Sequence, residues 1–169
     1  MDHVHGASKT AKVDTAADLN ARLARMKVFF ENLSPASLDQ IGDIYAHEAC
    51  FKDPFQAVQG LDAIRGVFKH MFTIQPTSRF TVLGITHNSS ETLANAQCCL
   101  RWSYSLELAG KAACIEGCSW IRLDPRGYII DHRDYWDAAE ELYGIIPNDP
   151  RTPLVTTAVR LGTAAMTTR

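Results

Sequence analysis

Three residues in this chain have the types and spacing that acid–base chemistry needs: Asp53, His132 and Asp134. Asp53 stands directly before Pro54. Proline has no N–H and its ring pushes the preceding residue into the extended region, so the step predicts Asp53 as the last residue of a strand. Period-2 alternation then places Phe51 and Asp53 on one face and Cys50 and Lys52 on the other, which aims the carboxylate into apolar surroundings. Burial there, with no adjacent cation, disfavours the charged form and raises the pKa. Asp before Pro is also ordinary turn chemistry, and a turn or capping aspartate is the competing reading. His132 and Asp134, two residues apart on a strand, stand side by side within reach of a shared proton or ligand. Their competing reading is a pair that satisfies its own hydrogen bonds for stability alone.

The elements that must position these groups follow from the spacing of apolar residues. Leu19, Leu23, Met26, Phe29, Phe30 and Leu33 recur at helical spacing and predict a first helix beginning near Thr15. Ser34-Pro35 supplies the cap and first-turn proline of a second, whose face carries Leu38, Ile41, Ile44 and Tyr45 and which feeds the Asp53 strand. Gly60 opens a third, with Ile64, Val67, Phe68, Met71 and Phe72 as its stripe, and Gln75-Pro76 closes it. From Arg79 to Trp136 the pattern changes to four alternating runs, an antiparallel meander. Ala94, Ala96, Cys98, Leu100, Trp102, Tyr104 and Leu106 face inward on one run. Beyond a hairpin at Ala109-Gly110-Lys111, charges turn Glu116, Cys118, Trp120 and Arg122 outward and leave Ala113, Ile115, Gly117, Ser119 and Ile121 inside. After the tight turn Asp124-Pro125-Arg126-Gly127, the last strand carries Tyr128, Ile130, His132, Asp134 and Trp136 on one face. Asp137 and Glu140 have capping-box spacing for a short helix ending near Gly144.

The fold class expected from this order is α+β: a cone-shaped half-barrel in which three N-terminal helices pack on a curved antiparallel sheet and enclose a pocket. Residues 1–14 read as a disordered leader, 15–145 as the domain, and 146–169 as a C-terminal extension with a thin helical stripe from Leu154. The length of 169 residues suits one domain, and a net charge of −2 without a basic stripe argues against nucleic acid. No run approaches the roughly 18 apolar residues of a membrane span and no signal-peptide run is present, so a cytoplasmic protein is expected. The five cysteines include no Cys-x-x-Cys pair. Cys114 and Cys118 share a strand face but lie about 13 Å apart at the strand rise, too far to bridge, so free thiols are expected and no metal site. His3 and His5, in the leader, are not counted as ligands.

Tyr-Ala-x-x-Ala-x-Phe-x-Asp-Pro-Phe from Tyr45, the helix start at Gln59-Gly60, and Arg122-Leu-Asp-x-x-Gly-x-Ile leading to His132-Arg-Asp-Tyr-Trp-Asp137 resemble the nuclear transport factor 2 superfamily. Within it the pattern is most similar to the SnoaL-like polyketide cyclase and steroid delta-isomerase branch, over roughly residues 15 to 145. Ketosteroid isomerases carry their general-base aspartate in this Asp-Pro-Phe context, so the resemblance implies that role for Asp53. It also implies two departures: an ungapped count places Phe29 where the isomerase has its tyrosine donor, and Ser119 where it has its protonated aspartate. A phenyl ring cannot donate and a hydroxyl is the weaker donor, so steroid isomerisation by that mechanism is not expected. The cyclase branch, with an acidic residue near the end of the last strand, is the closer likeness. The epoxide hydrolases of this fold need an Arg-x-Asp pair on the penultimate strand, which Glu116-Gly117-Cys118 does not provide.

The resulting expectation is a small acid–base enzyme without a cofactor, acting on an apolar or polycyclic ligand. Asp53 or Asp134 is the base and His132 its proton partner. Phe29, Tyr45, Phe55, Phe68, Trp102, Tyr104, Ser119 and Trp136 line the pocket. The alternative from another class is a binding module that uses the same pocket without chemistry. Trp120 on the outer sheet face suggests a cover, either a homodimer through that face or the C-terminal extension folded back, and the dimer is preferred.

Overall fold

The computed structural model describes residues 16–88, 93, 96–108 and 110–138. Helix α1, Ala16–Glu31, buries Leu19, Leu23, Met26, Phe29 and Phe30 along its apolar side, as the spacing predicts. Ser34 and Ser37 then cap one another: each main-chain N–H donates to the other's hydroxyl, at 2.9 and 3.3 Å. The segment that follows is a 3₁₀ helix, Ser37–Asp43, rather than an α-helix extending to Tyr45. Leu38 and Ile41 anchor its seven residues on the core, and this tighter winding, which seldom extends into long runs, ends at Asp43. Tyr45 therefore opens strand β1, Tyr45–Lys52, instead of ending a helix.

A short strand absent from the sequence expectation, β2 (Ala57–Gln59), turns back on β1 in antiparallel register, with Phe51 opposite Val58. Gly60 follows at φ 92°, a conformation that L side chains rarely adopt, and caps α2, Leu61–Ile74. Ile64, Phe68 and Phe72, four residues apart, form the buried stripe of α2. Such side chains contribute roughly 1.5–3 kcal/mol each when fully buried. The meander comprises β3 (Arg79–His87), β4 (Gln97–Leu108), β5 (Lys111–Leu123) and β6 (Ile129–Tyr135). Its face assignment holds on β4 and β5: Cys98, Leu100, Trp102, Tyr104, Ile115, Ser119 and Ile121 are buried while Trp120 and Arg122 are exposed.

The six strands form one open sheet in the order β2-β1-β6-β5-β4-β3. The expected antiparallel pairing applies everywhere except between β1 and β6, which run parallel and place Phe51 beside His132. This one crossover joins the strand that leads into Asp53 to the strand that carries His132 and Asp134. A bulge where β6 meets β5 inserts one residue between Ile129 and Asp131, so Ile129 takes the fully buried position expected for Ile130. Beyond it the alternation resumes and His132 is buried as expected. The leader, the Asp137–Glu140 capping box with its helix, the inward placement of Ala94 and the C-terminal extension lie outside the described residues. Among the described residues no helix is long and apolar enough to cross a membrane.

Candidate active site

β1 ends at Lys52, so Asp53 is the first residue of the turn and not the last of the strand. Its Oδ1 accepts the N–H groups of Phe55 and Gln56, both at 2.8 Å, and its Oδ2 accepts Gln56 Nε2 at 3.1 Å. Both readings of this residue therefore apply, because the carboxylate that organises the turn also lines a cavity. Burial raises its pKa, outweighing the hydrogen bonds from Gln56 and Phe55 that act the other way, and the charge of Asp134 raises it further.

The cavity, of about 140 Å³, is walled by α2 on one side and the sheet on the other. Phe51, Phe55, Phe68, Trp102, Tyr104 and Trp136 supply most of its aromatic surface, and Asp53 and Asp134 are its carboxylates. Phe55 and Trp136 meet edge to face at 5.3 Å. A smaller pocket of about 20 Å³ shares Phe68, Trp102 and Asp134 with the main one and reaches Phe30, Ser119 and His132. A shallow outer depression shares Asp53, Asp134 and Trp136. Asp134 thus borders all three spaces.

Behind Asp134 runs a hydrogen-bonded chain across four strand positions. Ser119 is directly opposite Asp134 in the β5–β6 register, and its hydroxyl donates to Asp134 Oδ1 at 2.5 Å. Trp102 Nε1–H donates to the same hydroxyl at 2.9 Å, which turns the serine proton toward the carboxylate. His132 Nε2 contacts Asp134 Oδ1 at 2.9 Å, and His132 Nδ1 contacts the Tyr45 hydroxyl at 2.5 Å. Burial, and then the charge of Asp134, hold the Tyr45 phenol well above its ordinary pKa, so it stays protonated and donates to Nδ1. Nε2–H then donates to Asp134. The imidazole is 2% exposed and packed between Phe30 and Phe51, with ring centroids at 5.6 and 5.0 Å. It cannot turn without breaking both bonds.

Of the three residues singled out for chemistry, Asp53 and Asp134 meet in the main cavity, and His132 touches it through Asp134. Of the eight expected wall residues, Phe55, Phe68, Trp102, Tyr104 and Trp136 line it. Ser119 reaches only the smaller pocket and spends its proton on Asp134, so it positions that carboxylate rather than donating to a ligand. Tyr45 likewise gives its hydroxyl to His132 and lines neither space. Phe29 is displaced by one: it is buried and packs at 5.5 Å on Phe30, which is the ring that reaches the smaller pocket. Gln56, His70, Gln75 and Phe80 also line the main cavity. Phe80 was findable from β3 parity, since it stands opposite Tyr104. His70 interrupts an apolar helical stripe and carries no comparable signal.

Gly117, on the inner face between Ile115 and Ser119, lies opposite Trp102. A Cβ there would come within 2.5 Å of the indole. The ring thus occupies the space a side chain at 117 would need, and the penultimate strand can offer no further functional group at that level.

Residues 27–132 match the SnoaL-like domain. The chain belongs to this family. Solved structures with the same fold include a nuclear transport factor 2-like protein of unknown function from Exiguobacterium, at 19% identity and a TM-score of 0.56, covering 69% of this chain and 98% of that one. A protein with a ketosteroid isomerase-like fold from Catenulispora acidiphila, in complex with trimethylamine, shares 13% identity at a TM-score of 0.58 over 72% and 89% of the two chains. An epoxide hydrolase of the LEH-like type from M. tuberculosis shares 14% at 0.55, over 76% and 90%. At these identities the likeness shows the fold alone. No curated protein matches the chain in sequence.

Proposed function

We propose that this SnoaL-like chain is a cofactor-independent acid–base enzyme of the isomerase, cyclase or lyase type, acting on a carbonyl compound about the size of a single ring. The observation that carries this reading is the convergence of Asp53 and Asp134 on one apolar cavity in unlike environments. Burial favours the neutral form of Asp53, whereas Asp134 faces two donors, His132 and Ser119, that require it to accept. Paired carboxylates in contrasting surroundings divide the acid and base roles.

In this scheme Asp134 removes a proton from the carbon next to the carbonyl. Asp53, whose neutral form burial favours, gives its proton to the carbonyl oxygen, and the product of the step is the neutral enol. Asp134 returns its proton to carbon, at the same or a conjugated position, as Asp53 recovers the enol proton. His132, held by Tyr45, and Ser119, held by Trp102, are positioning residues that keep Asp134 Oδ1 fixed and leave Oδ2 without a hydrogen bond among the described residues. The cavity of about 140 Å³ supports a single ring over a polycyclic substrate, since a cavity near that size accommodates benzene.

The test is hydrogen–deuterium exchange at the α carbons of cyclohexanone in D₂O, followed by NMR. The wild-type chain should accelerate exchange over buffer, and Asp134→Asn should lower that acceleration by about 10²–10⁴-fold, the usual contribution of a positioned general base. Binding of the ketone without accelerated exchange would overturn the enzyme reading in favour of a binding module.

A further inference from the structure

Two buried side-chain polar atoms among the described residues have no hydrogen-bond partner: His70 Nε2 and Tyr104 Oη. Both belong to residues that line the main cavity, one from the α2 wall and one from β4. Tyr104 is 9% exposed. The Ser78 hydroxyl near Tyr104 donates its proton to the Gln75 carbonyl at 2.7 Å, which leaves it only acceptor lone pairs to offer the phenol, and Gln75 Oε1 accepts the Glu107 N–H at 3.4 Å. Buried polar atoms in folded proteins almost always find partners, so two that no protein group satisfies, bordering one cavity, are available to a polar atom of its ligand.

The position of Tyr104 along the sheet separates its backbone from that of Asp134. Tyr104 stands opposite Ile115 on β5, and Asp134 stands opposite Ser119. Ile115 and Ser119 are four residues apart, about 13 Å at the strand rise. The cavity therefore meets Asp134 and Tyr104 at two different levels of the sheet and His70 from the α2 side, with Phe68, Phe80 and Trp102 also in its wall.

We propose that His70 and Tyr104 form an oxygen-binding subsite, and that the ligand of this cavity carries a hydroxyl or carbonyl oxygen at the end remote from Asp53 and Asp134. The inference rests on the reading of the cavity as a substrate pocket and narrows the substrate to a ring compound whose second oxygen function is carried on a substituent reaching away from the reacting carbonyl. Burial keeps the Tyr104 phenol protonated, so it donates to the ligand oxygen. His70 Nε2 accepts from a ligand hydroxyl in one tautomer and donates to a carbonyl in the other.

Phenol and toluene differ only by hydroxyl against methyl, and titrating each into isotopically labelled protein by NMR isolates the subsite. Phenol, and not toluene, should move the His70 imidazole nitrogen signals of the wild-type chain, a readout that needs no variant. Tyr104→Phe, with its backbone spectrum unchanged, should lower the phenol-to-toluene affinity ratio by about tenfold, the equivalent of one net hydrogen bond. Asp134→Asn should leave that ratio within about twofold, as expected for a site distant from it. The subsite alone is overturned if toluene binds and the ratio survives Tyr104→Phe, or if the ratio falls in Asp134→Asn instead, which would seat the oxygen at the carboxylates. If neither ligand perturbs the cavity residues, the subsite and the substrate-pocket reading fall together.

Discussion

Replacing Tyr45 with phenylalanine removes one oxygen from beneath the candidate site and nothing else. The ring keeps its neighbours, Phe30 and Phe68, each at 6.5 Å between centroids. What is lost is the 2.5 Å contact to His132 Nδ1, on an imidazole 2% exposed, where no water can replace the hydroxyl. An unpaired buried polar atom costs about 1–3 kcal/mol, and Tyr45→Phe should lower stability by that amount at pH 7. Urea denaturation should show a lower midpoint at unchanged slope, because the surface exposed on unfolding is the same. The pH dependence gives a second reading. Burial raises the folded-state pKa of Tyr45 above its ordinary value of 10.0, so its contribution is fully present below pH 10 and is lost as pH rises toward the folded pKa. The gap between wild type and variant should therefore narrow above pH 10. A loss below about 0.5 kcal/mol at pH 7, the range of an ordinary surface substitution, would refute the Tyr45–His132 bond as a support of the site.

Asp53→Asn keeps an oxygen for the Phe55 and Gln56 N–H groups. Because the Asp53 pKa is raised above 3.8, its charge costs stability as pH rises through the folded value and costs nothing below 3.8, where both states are protonated. Thermal melts should show Asp53→Asn at least as stable as wild type at pH 7, with the difference gone below pH 3.8. Among the thiols, Cys50 and Cys114 are exposed while burial pushes Cys98 up to about 12. A thiol-reactive disulfide reagent at pH 8 should label the first two quickly and Cys98 only on unfolding. Pairing of two copies through the outer sheet face is proposed on Trp120 and Tyr135, 45% and 49% exposed. Sedimentation equilibrium should find a dimer that Trp120→Glu converts to a monomer, and equal masses for both proteins would count against it.

Where two periodicities agreed with local chemistry, the fold was legible. The faces of β4 and β5 followed from alternation because one side is core and the other carries charge. The stripe of α2 followed from four-residue spacing between Gly60 and Gln75-Pro76. Misassignments arose where backbone geometry interrupts the count. Tyr45 sits at helical spacing from Ile41, yet the 3₁₀ turn stops short of it. Ile130 has the parity of His132, yet a bulge gives its place to Ile129. The parallel pairing of β1 with β6 is a long-range contact with no local signature, and it is what brings Phe51 beside His132.

The site followed the same division. His132 and Asp134 were visible as neighbours two apart on a strand, and their 2.9 Å contact follows from that. The roles of Ser119 and Tyr45 were not visible, since which partner takes a hydroxyl proton depends on distances that only the assembled sheet sets. Phe29 and Phe30 are adjacent in a helix, and an ungapped count cannot tell which of the two turns toward the pocket.

The central claim is that Asp53 and Asp134 share one cavity and that Asp53 feels the charge of Asp134. Carbon-13 NMR titration of the aspartate carboxyls in wild type and in Asp134→Asn tests it most directly. Asp53 should titrate above 3.8 in the wild-type chain and at a lower pH in the variant, because burial and the Asp134 charge both raise it and the variant removes the second. An Asp53 that titrates at or below 3.8, or that is indifferent to Asp134→Asn, would contradict it.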